Sequence, residues 1–95
     1  MAEVVFTRGA DVDLERLVAF LAKAQPAEAL ETYDLLLGGL EILRSYPSIG
    51  RPVDGVLREL VISRGSTGYL ALYEFDEHAD QVVILALRHQ RELGY

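Results

Sequence analysis

The chain contains no cysteine, one methionine, three prolines and a single lysine, Lys23, among its 95 residues. Without cysteine there is no disulfide framework, no cysteine-based zinc knuckle and no thiolate nucleophile. No apolar run approaches the roughly 20 residues that span a bilayer. The opening MAEVVFTRGADVD lacks the basic flank and long apolar stretch of a secretory signal. These absences point to the cytoplasm and to no membrane partner. The two imidazoles, His78 and His89, stand eleven residues apart with no carboxylate at ligand spacing, so neither a metal site nor a cofactor is expected. No Gly-x-Ser-x-Gly elbow supplies a hydrolase nucleophile.

What is present suits one small folded domain covering 1–95. Hydrophobic residues make up 51% and mean hydropathy is +0.17, which excludes a disordered chain. At this length a domain buries roughly 60–65% of its unfolded surface, enough for one core without staples. Eight arginines and the lysine face fifteen acids, for a net charge of −6. Taken whole, such a chain is repelled by nucleic acid, and no direct sequence-specific binding to it is expected. The charge is uneven, however. Residues 44–68 hold Arg44, Arg51, Arg58 and Arg64 against Asp54 and Glu59, and residues 84–95 hold Arg88 and Arg91 against Glu92. If the fold joins these segments, Arg51, Arg58, Arg88 and Arg91 form one cationic surface on an acidic body. If it does not, they are separate solvated side chains.

Periodicity changes from helical to extended near residue 50. EVVFT at 3–7 reads as a short strand. Asp11 and Asp13 supply a cap and a negative first turn to a helix carrying Leu14, Leu17, Val18 and Leu21 at helical spacing. Pro26 opens a second helix, along which Ala29, Tyr33, Leu36, Leu40 and Leu43 recur with Leu30 and Leu37 on a flanking stripe. Gly38-Gly39 inside it implies close approach to the first helix, and Ser45-Tyr46-Pro47 ends it. After a loop, SIGRPVDG, strands are expected at 57–63, 69–76 and 82–89, joined by hairpin connections at 65–68 and 77–80. The GSTG at 65–68 lacks the lysine and helix of a phosphate-binding loop and reads as a turn. The result is an α+β domain: a strand, a two-helix hairpin, and a meander completing a small, mostly antiparallel sheet. VVILAL at 82–87 is apolar on both faces, which requires a curled sheet or a partner over the second face.

The most suggestive cluster is the closing run Arg88-His89-Gln90-Arg91-Glu92-Leu93-Gly94-Tyr95. Guanidinium groups orient phosphates or acids, and imidazole or phenol moves protons. The plain alternative is a polar tail whose arginines pair with acids.

The order IGRPV, LREL-VISRG, GYLALYEF and VVILALRHQRELGY resembles the RelE/ParE superfamily of toxins from type II toxin–antitoxin modules, and the closing RHQRE-x-GY is similar to the ParE branch. The resemblance covers essentially the whole chain and implies the strand–hairpin–meander fold, a cognate antitoxin and a role in plasmid stabilization. RelE-type members cut messenger RNA on the ribosome with loop lysines, a strand arginine, and an arginine or histidine and then a tyrosine near the C-terminus. Here His89 and Tyr95 match the last two positions, the strand position is Leu70, and no lysine follows Lys23. ParE-type members, which this sequence resembles more than it does the nucleases, inhibit DNA gyrase by protein contact and need no catalytic residue, and the ribonuclease is the alternative. The ParE reading implies target-binding candidates Arg51, Arg58, Arg88, His89, Arg91 and Tyr95. A degenerate member that only binds its antitoxin is the third reading. The wide apolar stripes imply an antitoxin segment that is disordered alone and orders on the helical hairpin, with Leu14, Val18, Tyr33 and Leu37 as contact candidates. An interface above roughly 1,200 Å² is expected for a neutralising partner.

Overall fold

A computed structural model of the protein describes residues 1–64 and 67–92, with the backbone alone at 63, 64 and 67. In chain order the elements are β1 (Glu3–Phe6), α1 (Arg8–Ala24), α2 (Pro26–Glu41), a 3-10 turn (Ile42–Arg44), β2 (Arg51–Asp54), β3 (Leu57–Arg64), β4 (Thr67–Asp76) and β5 (Gln81–His89). The five strands form one sheet in the order β1-β5-β4-β3-β2. β1 lies parallel to β5 and the other pairs are antiparallel, so the expected α+β architecture is the observed one.

The first helix starts earlier than expected. Thr7, not Asp11 or Asp13, is the N-cap, and its Oγ1 accepts from the Ala10 N–H at 3.2 Å. The same hydroxyl faces the Ile84 and Leu85 carbonyls at 3.1 and 3.3 Å, while the Thr7 N–H donates to the Ile84 carbonyl. One residue therefore ends β1, begins α1 and fastens both to β5. Gln25 alone separates α1 from α2, and Pro26 occupies the first turn as its fixed φ favours.

The loop expected at 48–55 contains an edge strand, β2. It pairs with β3 only where Arg51, Pro52 and Asp54 meet Glu59, Arg58 and Leu57, with an irregularity between Pro52 and Asp54. A proline-bearing strand this short gives no period-2 signal, and its place at the sheet edge is where proline is tolerated. Just before it, the Gly50 N–H donates at 2.8 Å to the hydroxyl of Tyr73, which is fully buried. A side chain at Gly50 would run into that hydroxyl, so only glycine allows the approach.

Register defines the two faces of the sheet. Directly opposed residues share a face, so Ile62, Tyr69 and His89 form one row, Leu60, Ala71 and Leu87 the next, and Arg58, Tyr73 and Ile84 a third. Leu36, Leu40 and Leu43 join Tyr73, Val82, Ile84 and Leu87 as the fully buried centre. Each such burial stabilises the fold by roughly 1.5–3 kcal/mol. The other face carries Val61, Leu70 and Arg88 in one row and Glu59, Leu72 and Ala86 in another. Between Leu72 and Tyr73 the β4–β5 pairing shifts register, leaving Leu85 unopposed and bending the strands locally.

The glycine pair behaves differently from the expectation. A Cβ at Gly39 would lie 2.9–3.0 Å from Ile62 side-chain atoms, so the close approach is between α2 and β3, not between the helices. Gly38 has nothing within 4 Å of such a Cβ. Gly38→Ala should raise stability by about 0.5–1 kcal/mol, because only the helix penalty of glycine is removed. Gly39→Ala should lower it by about 1–3 kcal/mol, because the β-branched Ile62 has little freedom to withdraw. Urea denaturation of the two single variants checks the opposite signs.

Candidate functional site

Beyond Phe6, β1 no longer covers β5, and side chains from α1 take over. The Leu87 N–H donates to Asp13 Oδ2 at 2.9 Å, and Arg16 reaches the Leu87 carbonyl at 3.4 Å. Both hydrogen-bonding directions of that strand edge are thereby met. Arg16 also donates to Glu92 Oε1 at 2.7 Å and stands 3.8 Å from Asp13 Oδ1. The hydrogen bond from Arg16 holds the Glu92 carboxyl below its usual range and raises the guanidinium above its own. This chain of contacts docks the turn after β5 against α1.

The turn is stiffened from within. Arg88 folds back so that its Nη1 donates to the Glu92 carbonyl at 2.7 Å. The Glu92 N–H donates to the His89 carbonyl at 2.9 Å. His89 Nδ1 accepts from the Arg91 N–H at 3.1 Å, which places the proton of neutral His89 on Nε2. The His89 ring meets Tyr69 edge-on, with centroids 5.3 Å apart.

Together these elements enclose a groove of about 760 Å³. Its floor is Leu17, Leu21, Thr32 and Tyr69, and its rim holds Arg16, Glu28, His89, Arg91 and Glu92. Phe20 lines it too, and 68% of that side chain is exposed. Among the described residues the wall thus carries two arginines and two glutamates, which balance in charge. An imidazole here could accept or pass a proton. A balanced wall is a poor trap for a phosphodiester, whose cleavage needs several converging cations.

The sequence-derived residues scatter around this groove. His89 and Arg91 line it. Arg88 lies on the opposite sheet face, directly across from Leu70, with its guanidinium spent on the turn. Arg51 is on that face as well and pairs with Glu59, whose side chain is buried although the arginine is exposed; Arg51 Nε lies 3.0 Å from Glu59 Oε1. Arg58 belongs to the helix-side row and donates to the Ser48 and Gly50 carbonyls. Tyr95 lies outside the described residues. Leu70, at the position of the family's strand arginine, is 7% exposed. Among the four residues assigned to partner contact, Leu14, Val18, Tyr33 and Leu37 are each half-buried. Phe20 and Leu30, missed in that reading, are the most exposed large apolar side chains of the hairpin at 68% and 70%. Periodicity could not separate Phe20 from Leu17 and Leu21, which flank it on the same stripe. Among the described residues no cluster of His, Asp and Glu is fit to hold a metal ion, and no helix is long and apolar enough to cross a membrane.

Comparison with known proteins agrees with this fold. Residues 4–94 match the family described as the ParE toxin of the type II toxin–antitoxin system parDE. A curated relative, Toxin RelE3 of Caulobacter vibrioides, is 35% identical over 80 residues, covering 84% of this chain and 85% of its own. In the chromosomal ParDE system of P. aeruginosa a chain superposes with a TM-score of 0.76 at 20% identity, over 94% of this chain and 96% of that one. In the RelBE2 toxin–antitoxin complex of Mycobacterium tuberculosis the TM-score is 0.58 at 27% identity, over 94% and 98%. The chain belongs to the ParE toxin family, within the RelE/ParE superfamily.

The Arg16–Glu92 contact gives a signed pH dependence. A carboxylate whose folded pKa is lowered stabilises the fold fully above its unfolded pKa, about 4.3, and the gain is lost as pH falls through the lower folded value. At pH 7 Glu92→Gln should cost about 0.5–1 kcal/mol, the size expected of a half-exposed ion pair. Chemical denaturation of both proteins from about pH 7 down to about pH 3 should show that difference shrinking only below about pH 4.5.

Proposed function

We propose that this toxin acts by protein contact on DNA gyrase and is neutralised by a cognate antitoxin. The observation that carries this reading is the charge balance of the groove around His89, together with Leu70 buried where a nuclease of this superfamily holds an arginine. An endoribonuclease must gather cations around the scissile phosphate. Here Arg16 is held by Glu92 and Asp13, Arg88 by the turn carbonyls, and Arg51 by Glu59. Arg91 is exposed and makes no side-chain hydrogen bond among the described residues. A gyrase inhibitor needs none of that chemistry. It needs a stable surface that favours one gyrase–DNA state over another, and each tenfold of preference requires about 1.4 kcal/mol.

The groove suits such a contact. Exposed Phe20 and Arg91 line the same groove and offer it an aromatic anchor and a guanidinium, the residue types that dominate binding energy at protein interfaces. The match to ParE toxins and the ParDE and RelBE2 structures support the antitoxin as partner. The half-buried Leu14, Val18, Tyr33 and Leu37, with Leu30, offer it an apolar helical surface.

Purified toxin mixed with gyrase and supercoiled plasmid should trap cleaved gyrase–DNA complexes, and the same toxin should leave message intact on translating ribosomes. Arg91→Glu and Phe20→Ala should each weaken trapping at least about tenfold while the fold is kept, in line with truncation of interface anchors. Message cut on the ribosome, with the cutting abolished by His89→Ala, would establish the ribonuclease instead.

A further inference from the structure

The charges lining the groove between α1, α2 and β5 cancel in number, but they are not equally available. The Arg16 guanidinium holds the Glu92 carboxylate at 2.7 Å with Asp13 3.8 Å away, and Glu28 is engaged as well. Arg91 is exposed and makes no ion pair or side-chain hydrogen bond among the described residues. His89 accepts the Arg91 N–H at Nδ1, so its Nε2 carries the proton, and that N–H meets no acceptor among the described residues. The polar capacity left at the rim is therefore of the donor kind.

A third group lies deeper. Thr32 is 4% exposed, yet its hydroxyl makes no hydrogen bond among the described residues. A threonine within a helix can bond back to the carbonyl four residues earlier, here that of Glu28, and this one does not. It stands instead in the groove floor with Leu17, Leu21 and Tyr69. A buried hydroxyl without a partner carries a desolvation cost that a bound polar atom relieves.

We propose that the groove receives an apolar segment of gyrase that carries a single carboxylate. The carboxylate pairs with Arg91 and the His89 Nε2–H, an apolar side chain packs on Leu17, Phe20 and Leu21, and a main-chain group of the segment meets the Thr32 hydroxyl. This deepens the gyrase reading above and rests on it. Charge limits the occupant to one acid. The chain is at −6, and α2 carries Glu28, Glu31, Asp34 and Glu41 without a basic residue, so a run of acids or a nucleic-acid backbone is repelled. A lysine or arginine in place of the acid would face Arg91 while Glu92 and Glu28 are already occupied.

The test places the photocrosslinker p-benzoylphenylalanine at Phe20 or, in a second variant, at Gln25, a groove residue whose side chain makes no capping bond to α2. Irradiation of the trapped toxin–gyrase–DNA complex should join the toxin to a gyrase peptide in which one Asp or Glu stands among apolar residues. In gyrase that still supercoils, changing that acid to arginine should weaken trapping by the unaltered toxin at least about tenfold and restore trapping by the Arg91→Glu toxin. Thr32→Val should weaken trapping about threefold or more while the unfolding transition of the free chain is kept or raised. A crosslink to DNA, to the toxin itself or to a gyrase peptide without a carboxylate overturns the assignment and leaves the gyrase reading standing. So does a complex that forms with no crosslink from either position, or a charge reversal without rescue. Unchanged trapping by Thr32→Val overturns the contact at the hydroxyl. Absence of trapped complexes with the unaltered toxin overturns the gyrase reading and this segment with it.

Discussion

The arrangement of the whole site depends on how the upper half of β5 is satisfied. β1 ends at Phe6 and β5 continues to His89, so several main-chain groups of a central, apolar strand lose their partner strand. Left unpaired within the fold, such groups cost about 1–3 kcal/mol each. Thr7, Asp13 and Arg16 replace the missing strand with side chains from one helix. That substitution fixes the angle of α1 to the sheet and brings Arg16 to Glu92. It thereby makes His89, Arg91 and Glu92 a wall of the groove. The neighbouring polar contacts then serve position more than chemistry.

The same economy explains where the arginines went. A cluster of cations in sequence suggested phosphate binding or a cationic surface, yet Arg16, Arg51, Arg58 and Arg88 are occupied by carboxylates or carbonyls of the fold. A guanidinium held in that way is a structural fastener, and its charge is locally offset. Arg91 alone of the C-terminal pair is turned outward at the groove.

Much of the fold was legible because α1, α2 and the three long strands each present a complete hydrophobic period. Pro26 and the polar turn at 77–80 also carry their own backbone preferences. β2 was illegible because Arg51-Pro52-Val53-Asp54 contains a proline, is exposed throughout and owes its existence to Tyr73 and Glu59 elsewhere. The helix cap was misplaced because several residues near the start could serve, and only the bond from Thr7 to β5 distinguishes it. Of the site, the closing run stood out by composition, and the balance of charge around His89 did not. That balance arises from Glu28 on α2 and from the pairing of Arg16 with Glu92, contacts between segments far apart in sequence. Phe20 was hidden for the same reason, since its exposure is decided by what fails to cover it.

The most direct test of the proposed mode of action is the order of events after the chain is induced in growing cells without an antitoxin. Protein synthesis, followed by pulse incorporation of labelled amino acids, and chromosome integrity, followed on gels after protease treatment, are measured over the same first minutes. Contact with gyrase predicts that chromosome breaks bearing covalently attached protein appear while incorporation continues. An immediate stop in incorporation with an intact chromosome would contradict it.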